Sequence, residues 1–131
     1  MKNLEPKSLW ENFYSLTQIP RPSGKKEEIS AFLANYGRSL GLETIVDEIG
    51  NVIIRKPASA GYENHPGVIL QGHMDMVPQK NSDKVFDFEK DPIEAYVEDN
   101  GEWVTANGTT LGADNGIGVA TAMAILADKN V

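Results

Sequence analysis

The chain has 131 residues, enough for one ordinary domain with a real core, and its 40% hydrophobic and 24% charged content is that of an average folded protein, not a disordered one. Twelve basic residues against nineteen acidic ones leave a formal charge of −7, the wrong sign for a nucleic-acid partner or an anionic membrane surface. There is no cysteine, so disulfide scaffolds and thiolate metal sites are excluded, and a tightly held zinc would have to use His, Asp and Glu.

The first predicted element is a helix. Leu9, Trp10, Phe13 and Leu16 or Thr17 fall near one face, and Pro6 suits a first helical turn. Pro20 and Pro22 end it, because each lacks an N–H and disfavours helix in the residue before it. Ser23 is a suitable N-cap for a second helix, with Glu27 and Glu28 early in it, where the helix dipole favours acids. Ile29, Phe32, Leu33, Tyr36 and Leu40 mark its buried face and Gly41 its stop. A hairpin follows, from Glu43–Asp47 and Val52–Arg55 around Ile49-Gly50-Asn51.

Beyond a polar loop from Pro57 to Gly67, the apolar run Val68-Ile69-Leu70-Gln71-Gly72 predicts a strand covered on both faces. The stretch from Pro78 to Pro92 is polar and irregular. Ile93–Glu98 and Trp103–Ala106 then alternate about an Asp99–Glu102 turn, a second hairpin. A last helix is expected from Asn115 to Ala127. It is apolar almost all round, which suits the inside of a larger protein, so the chain reads as truncated. Trp10 and Trp103 read as core and His65 as an exposed loop residue. This order of elements predicts an α/β layer architecture with a mixed sheet between helices. No apolar signal core follows Met1, and no run is long enough to span a bilayer, which makes the cytoplasm the default location and leaves out a membrane partner.

Two segments can carry chemistry. In Gly72-His73-Met74-Asp75-Met76-Val77-Pro78 the His directly follows an apolar run, at an edge where α/β proteins gather active-site residues. His73 and Asp75 share one side of an extended chain, so Asp75 can accept the second N–H of a metal-bound imidazole. The same residues also read as a surface His beside a solvated carboxylate. In Asn107-Gly108-Thr109-Thr110-Leu111-Gly112-Ala113-Asp114-Asn115-Gly116-Ile117-Gly118, glycines surround one carboxylate just before a helix. Asp114 reads first as a helix cap and second as a carboxylate bridging two cations. The glycines do not fit a dinucleotide or P-loop pattern.

Taken together, with Asp114 lying 41 positions after His73, the segments resemble the co-catalytic zinc metallopeptidase family that holds aminoacylase, carnosinase, peptidase T and the aminoacyl-histidine dipeptidases. The details are most similar to the last branch: Asp114-Asn115-Gly116-Ile117-Gly118, the Gln79-Lys80-Asn81 that follows the first motif, and Leu9-Trp10 with Ile19-Pro20-Arg21-Pro22-Ser23-Gly24-Lys25 near the start. The resemblance runs along essentially the whole chain. It implies a site of two zinc ions, with manganese or cobalt as substitutes, His73 as a terminal ligand, Asp114 as the bridging ligand and Asp75 as the acid that orients His73. It also implies that the peptide bond after Asp114 is often cis. The implied activity is hydrolysis of dipeptides of the aminoacyl-histidine type by a hydroxide held between the metals.

Family members continue with a Glu-Glu pair whose first member is the general base, then another acid and a distant His, around an inserted lid domain that often forms a homodimer. None of these lies before Val131, so residues 1–131 are expected to be the N-terminal part of the catalytic domain and inactive alone. The alternatives are a non-catalytic interaction fragment, or another amide hydrolase of the family such as an aminoacylase, carboxypeptidase or tripeptidase.

Overall fold

The structure, a computed structural model, describes residue 1 and residues 3–131. The chain is α/β. Helix α1 (Lys7–Thr17) and helix α2 (Glu27–Ser39) precede the hairpin β1 (Glu43–Val46)–β2 (Val52–Arg55), and the hairpin β3 (Ala95–Val97)–β4 (Val104–Ala106) precedes helix α3 (Ala113–Ala127). Both hairpins are antiparallel, with Ile45 opposite Ile53 in the first and Tyr96 opposite Thr105 in the second.

The core forms where α1, α2 and α3 meet. Phe13 and Leu16 of α1, Ile29 and Leu33 of α2, and Ala120 and Met123 of α3 are buried against one another. Small residues on α3 let α1 come close, and the Tyr36 hydroxyl donates to the Met123 carbonyl at 2.8 Å, tying α2 to α3. On its other side α2 packs on the first hairpin, where a Cβ on Gly37 would meet the Thr44 hydroxyl and come within 2.9 Å of Ile54 Cγ1. Gly41, at φ +72°, ends α2 as expected, with its N–H donating to the Arg38 carbonyl at 2.9 Å.

Four expectations are corrected. The mixed sheet is not formed among the described residues. The two hairpins are separate sheets, supplemented by a parallel bridge between Pro22 and Met76 and an antiparallel one between Lys80 and Thr109. Residues 68–72 do not form a strand, and Val68 and Ile69 are 80% and 91% exposed. A strand is defined by the neighbour it bonds to, and no described segment pairs with this run. Helix α2 begins at Glu27, not at Ser23, because the Ser23 hydroxyl is engaged elsewhere. Trp103 is exposed, whereas Trp10 packs edge-on against Phe13 at 5.9 Å between ring centres. No helix among the described residues is long and apolar enough to cross a membrane.

Candidate metal centre

His73 and Asp75 lie on the segment that follows the 68–72 run. Asp114 lies at the mouth of α3, where the backbone is not yet helical and the Asp114–Asn115 peptide bond is cis. The Asp114 carboxylate makes no cap bond. Asn115 takes that role, its Oδ1 accepting from the Gly118 N–H at 3.1 Å. The helix-cap reading of Asp114 is thereby removed, and its side chain is 96% exposed, free to face a ligand.

The two segments meet at one imidazole. His73 Nε2 is 3.0 Å from Asp114 Oδ1, while Nδ1 is 3.0 Å from the Asp75 carbonyl oxygen and 3.2 Å from Asp75 Oδ1. Both ring nitrogens therefore face acceptors. A neutral imidazole has one N–H, so one of these contacts needs either a second proton or a cation between the atoms. Accordingly, the Asp114 carboxylate raises the His73 pKa above its ordinary value, against burial, which lowers it, and with further contributions from Asp75. Two donors on one tetrahedral zinc at the usual bond lengths lie about 3.3 Å apart, close to the observed separation. The imidazole and the carboxylate thus fit the nitrogen and oxygen donors a zinc ion takes, but they are only part of a shell. No group of three or more His, Asp or Glu able to hold a metal occurs among the described residues.

Behind the imidazole, Asp75 is itself held. The Ser23 hydroxyl donates to Asp75 Oδ2 at 2.6 Å, and this bond is the main reason the Asp75 pKa is lowered from its ordinary value. Ser23 is placed by a short parallel pairing in which its N–H donates to the Met76 carbonyl and the Met76 N–H donates to the Arg21 carbonyl. The far ends of the two motif loops are also joined. The Thr110 N–H donates to the Gln79 carbonyl at 2.8 Å and the Thr110 hydroxyl to the Val77 carbonyl at 2.6 Å.

The glycines of the two motifs have definite neighbours. A Cβ on Gly72 would come within 2.8 Å of the Asn115 amide, and one on Gly116 within 2.9 Å of the Arg21 guanidinium. Reading the sequence missed Arg21 and Ser23 as site residues. Both sit in a stretch that local rules explain completely as a proline-bearing helix break, and their contacts span 52 to 91 positions.

No family profile matches the chain. Over all 131 residues the chain is 51% identical to cytosol non-specific dipeptidase of Escherichia coli, and it spans 27% of that protein. A stretch of 63 residues is 36% identical to a putative LysW-lysine/LysW-ornithine hydrolase of Pyrococcus furiosus. Among solved structures, aminoacylhistidine dipeptidase from Vibrio alginolyticus superposes with a TM-score of 0.95 at 48% identity, covering 99% of this chain and 26% of that one. A tripeptidase from Staphylococcus aureus superposes with a TM-score of 0.72 at 25% identity, covering 92% of this chain and 31% of that one. The chain therefore spans about a quarter of the length of the dipeptidases it matches.

Proposed function

We propose that this chain is a section of a two-zinc dipeptidase, contributing one terminal metal ligand, one bridging ligand and the carboxylate that orients the first. Its likeness from end to end to dipeptidases supports the peptidase reading. The single observation that carries the metal reading is the opposition of His73 Nε2 and Asp114 Oδ1 at 3.0 Å, two groups 41 positions apart that need a proton or a cation between them.

In this reading His73, through Nε2, and Asp114, through its exposed carboxylate, would hold the metal ions. Bound there, the zinc pair would supply Lewis-acid activation of water and of the scissile carbonyl. In this reading Asp75 would accept the Nδ1–H of His73, which would fix the tautomer with the Nε2 lone pair directed toward Asp114 and make that nitrogen a stronger donor. The general base and the remaining ligands belong to parts of a complete enzyme outside residues 1–131, so this chain alone is expected to show no turnover. The substrate class in this reading is dipeptides, of the aminoacyl-histidine type that the name of the Vibrio alginolyticus enzyme gives, and the setting is cytosolic, as the name of the Escherichia coli relative suggests. The Staphylococcus aureus match favours tripeptides as the second reading, at lower identity and lower structural agreement.

The test is made on the complete gene product. Elemental analysis should find two metal ions per chain, with one or both lost in His73→Ala and Asp114→Ala, and histidine should be released from aminoacyl-histidine dipeptides only when metal is present. Metal-independent release, or none, would sink the proposal. Asp75→Asn should keep the fold and lower zinc affinity about 10–100-fold, the usual effect of removing a carboxylate that backs a metal-bound imidazole; calorimetric titration reads it.

A further inference from the structure

We propose that Arg21 is a positioning residue that sets the spacing between the loop carrying His73 and the loop carrying Asp114. The proposal rests on the reading of those two residues as metal ligands.

Arg21 is the largest fully buried side chain among the described residues, only 2% exposed; burial lowers its pKa, the Asp75 charge acts in the other direction, and its hydrogen bonds go to main-chain carbonyls. One terminal nitrogen donates to the Met74 carbonyl at 3.1 Å and the other to the Gly112 carbonyl at 2.8 Å. Met74 lies between His73 and Asp75, and Gly112 lies two residues before Asp114. A single planar group thus grips the main chain of both motifs. The acceptors matter: bonding to a carboxylate would fix one side chain, whereas bonding to two carbonyls fixes two backbones. Guanidinium nitrogens stand in a rigid fork, so the distance between the two carbonyls is set by covalent geometry. An ammonium is a single point and cannot impose that distance.

The surroundings are built for this group. A Cβ on Gly112 or on Gly116 would collide with the terminal nitrogen that bonds Gly112, and Met76 Sδ closes the pocket 2.9 Å from the same Gly112 position. The Arg21 carbonyl accepts from the Met76 N–H at 2.9 Å, so the backbone of Arg21 holds the His73 loop as well. The Arg21 Nε is buried and has no partner among the described residues. A charge kept in the core with an unmet donor is a poor choice for packing alone, because an apolar side chain of similar volume is often neutral or stabilising in such a place. Positioning explains why the group is there.

The experiment uses the complete gene product and cobalt(II) as the probe, comparing wild type with Arg21→Met and Arg21→Lys. Thermal melts establish which variants fold. Cobalt titration then reads affinity, and the visible absorption band reads ligand number and geometry. The expected result is a cobalt affinity lowered tenfold or more in both folded variants, with an altered band, and kcat falling while KM stays near wild type. Lys should not rescue, because it keeps the charge and loses the fork. If wild type binds cobalt and a folded variant matches it in affinity and band, the positioning role is wrong while the metal reading stands. Should Arg21→Met fail to fold, Arg21→Lys decides alone by the same comparison. Wild type that takes up no cobalt overturns the metal reading, and the positioning role with it.

Discussion

Asp47 gathers the β1–β2 turn around one carboxylate. Its Oδ1 accepts from the Ile49 and Asn51 N–H groups at 3.0 and 2.8 Å, and its Oδ2 accepts from the Asn51 side-chain amide at 2.8 Å. The Asn51 side chain, followed by the backbone donors, holds the Asp47 carboxyl below its ordinary value. A carboxylate with a depressed folded pKa stabilises the folded turn above the ordinary carboxylate range, and that stabilisation is lost as pH falls through the folded value. An NMR titration should therefore place the Asp47 midpoint below 3.8, with Asn51→Ala moving it upward. A midpoint unchanged by the substitution would remove the amide as cause. At this same scale, His73, Asp75 and Asp114 were singled out in the sequence by two motifs 41 positions apart and by the family resemblance they carry, since residue type alone left a surface His and a helix cap open. Arg21 and Ser23 were not. Ser23 fits the preferences of a helix cap, and nothing local signals that its hydroxyl turns toward a carboxylate 52 positions away.

Helix α2 shows how one missing side chain can hold two elements together. Gly37 faces the first hairpin so closely that an added methyl would press on the Thr44 hydroxyl and on Ile54. Gly37→Ala gains helix propensity, roughly 0.5–1 kcal/mol, yet overpacking typically costs about 1–3 kcal/mol. The net expectation is destabilisation, read as a lower urea midpoint with the slope of the transition unchanged. The helices and hairpins themselves were readable from periodicity and turn residues. Gly41 stops α2 and the glycine-bearing turns close both hairpins, since these depend on neighbours within a few positions. The 68–72 run failed as a strand for the opposite reason. Its composition is that of a buried strand, but pairing is a property of two segments, and the described residues supply one.

Taken whole, the molecule leaves much of its apolar surface uncovered. Val68, Ile69 and Leu70 stand in a row, with Val77, Val85 and Trp103 exposed elsewhere. Contiguous exposed apolar residues with unpaired backbone favour association. Residues 1–131 in isolation should therefore self-associate at micromolar to millimolar concentration, and Ile69→Lys should shift the population toward monomer in sedimentation velocity. Equal association in both would place the sticky surface elsewhere. The net charge of −7 opposes such association at long range but is screened within about 8 Å at physiological salt.

The pocket around Arg21 also constrains the order in which this sequence can change. An alanine at position 116 should, by propensity alone, stabilise α3 by roughly 0.5–1 kcal/mol, yet its methyl would meet the guanidinium at 2.9 Å and Phe13 Cε2 at 3.0 Å. The two positions are therefore epistatic. In a double-mutant cycle, Gly116→Ala should be less harmful when Arg21 has first been shortened to Ala than when it is present. A lineage would acquire the better helix former at less cost after giving up the arginine, with the Phe13 contact still to accommodate, and recovery of the arginine would then be easier once the glycine had returned.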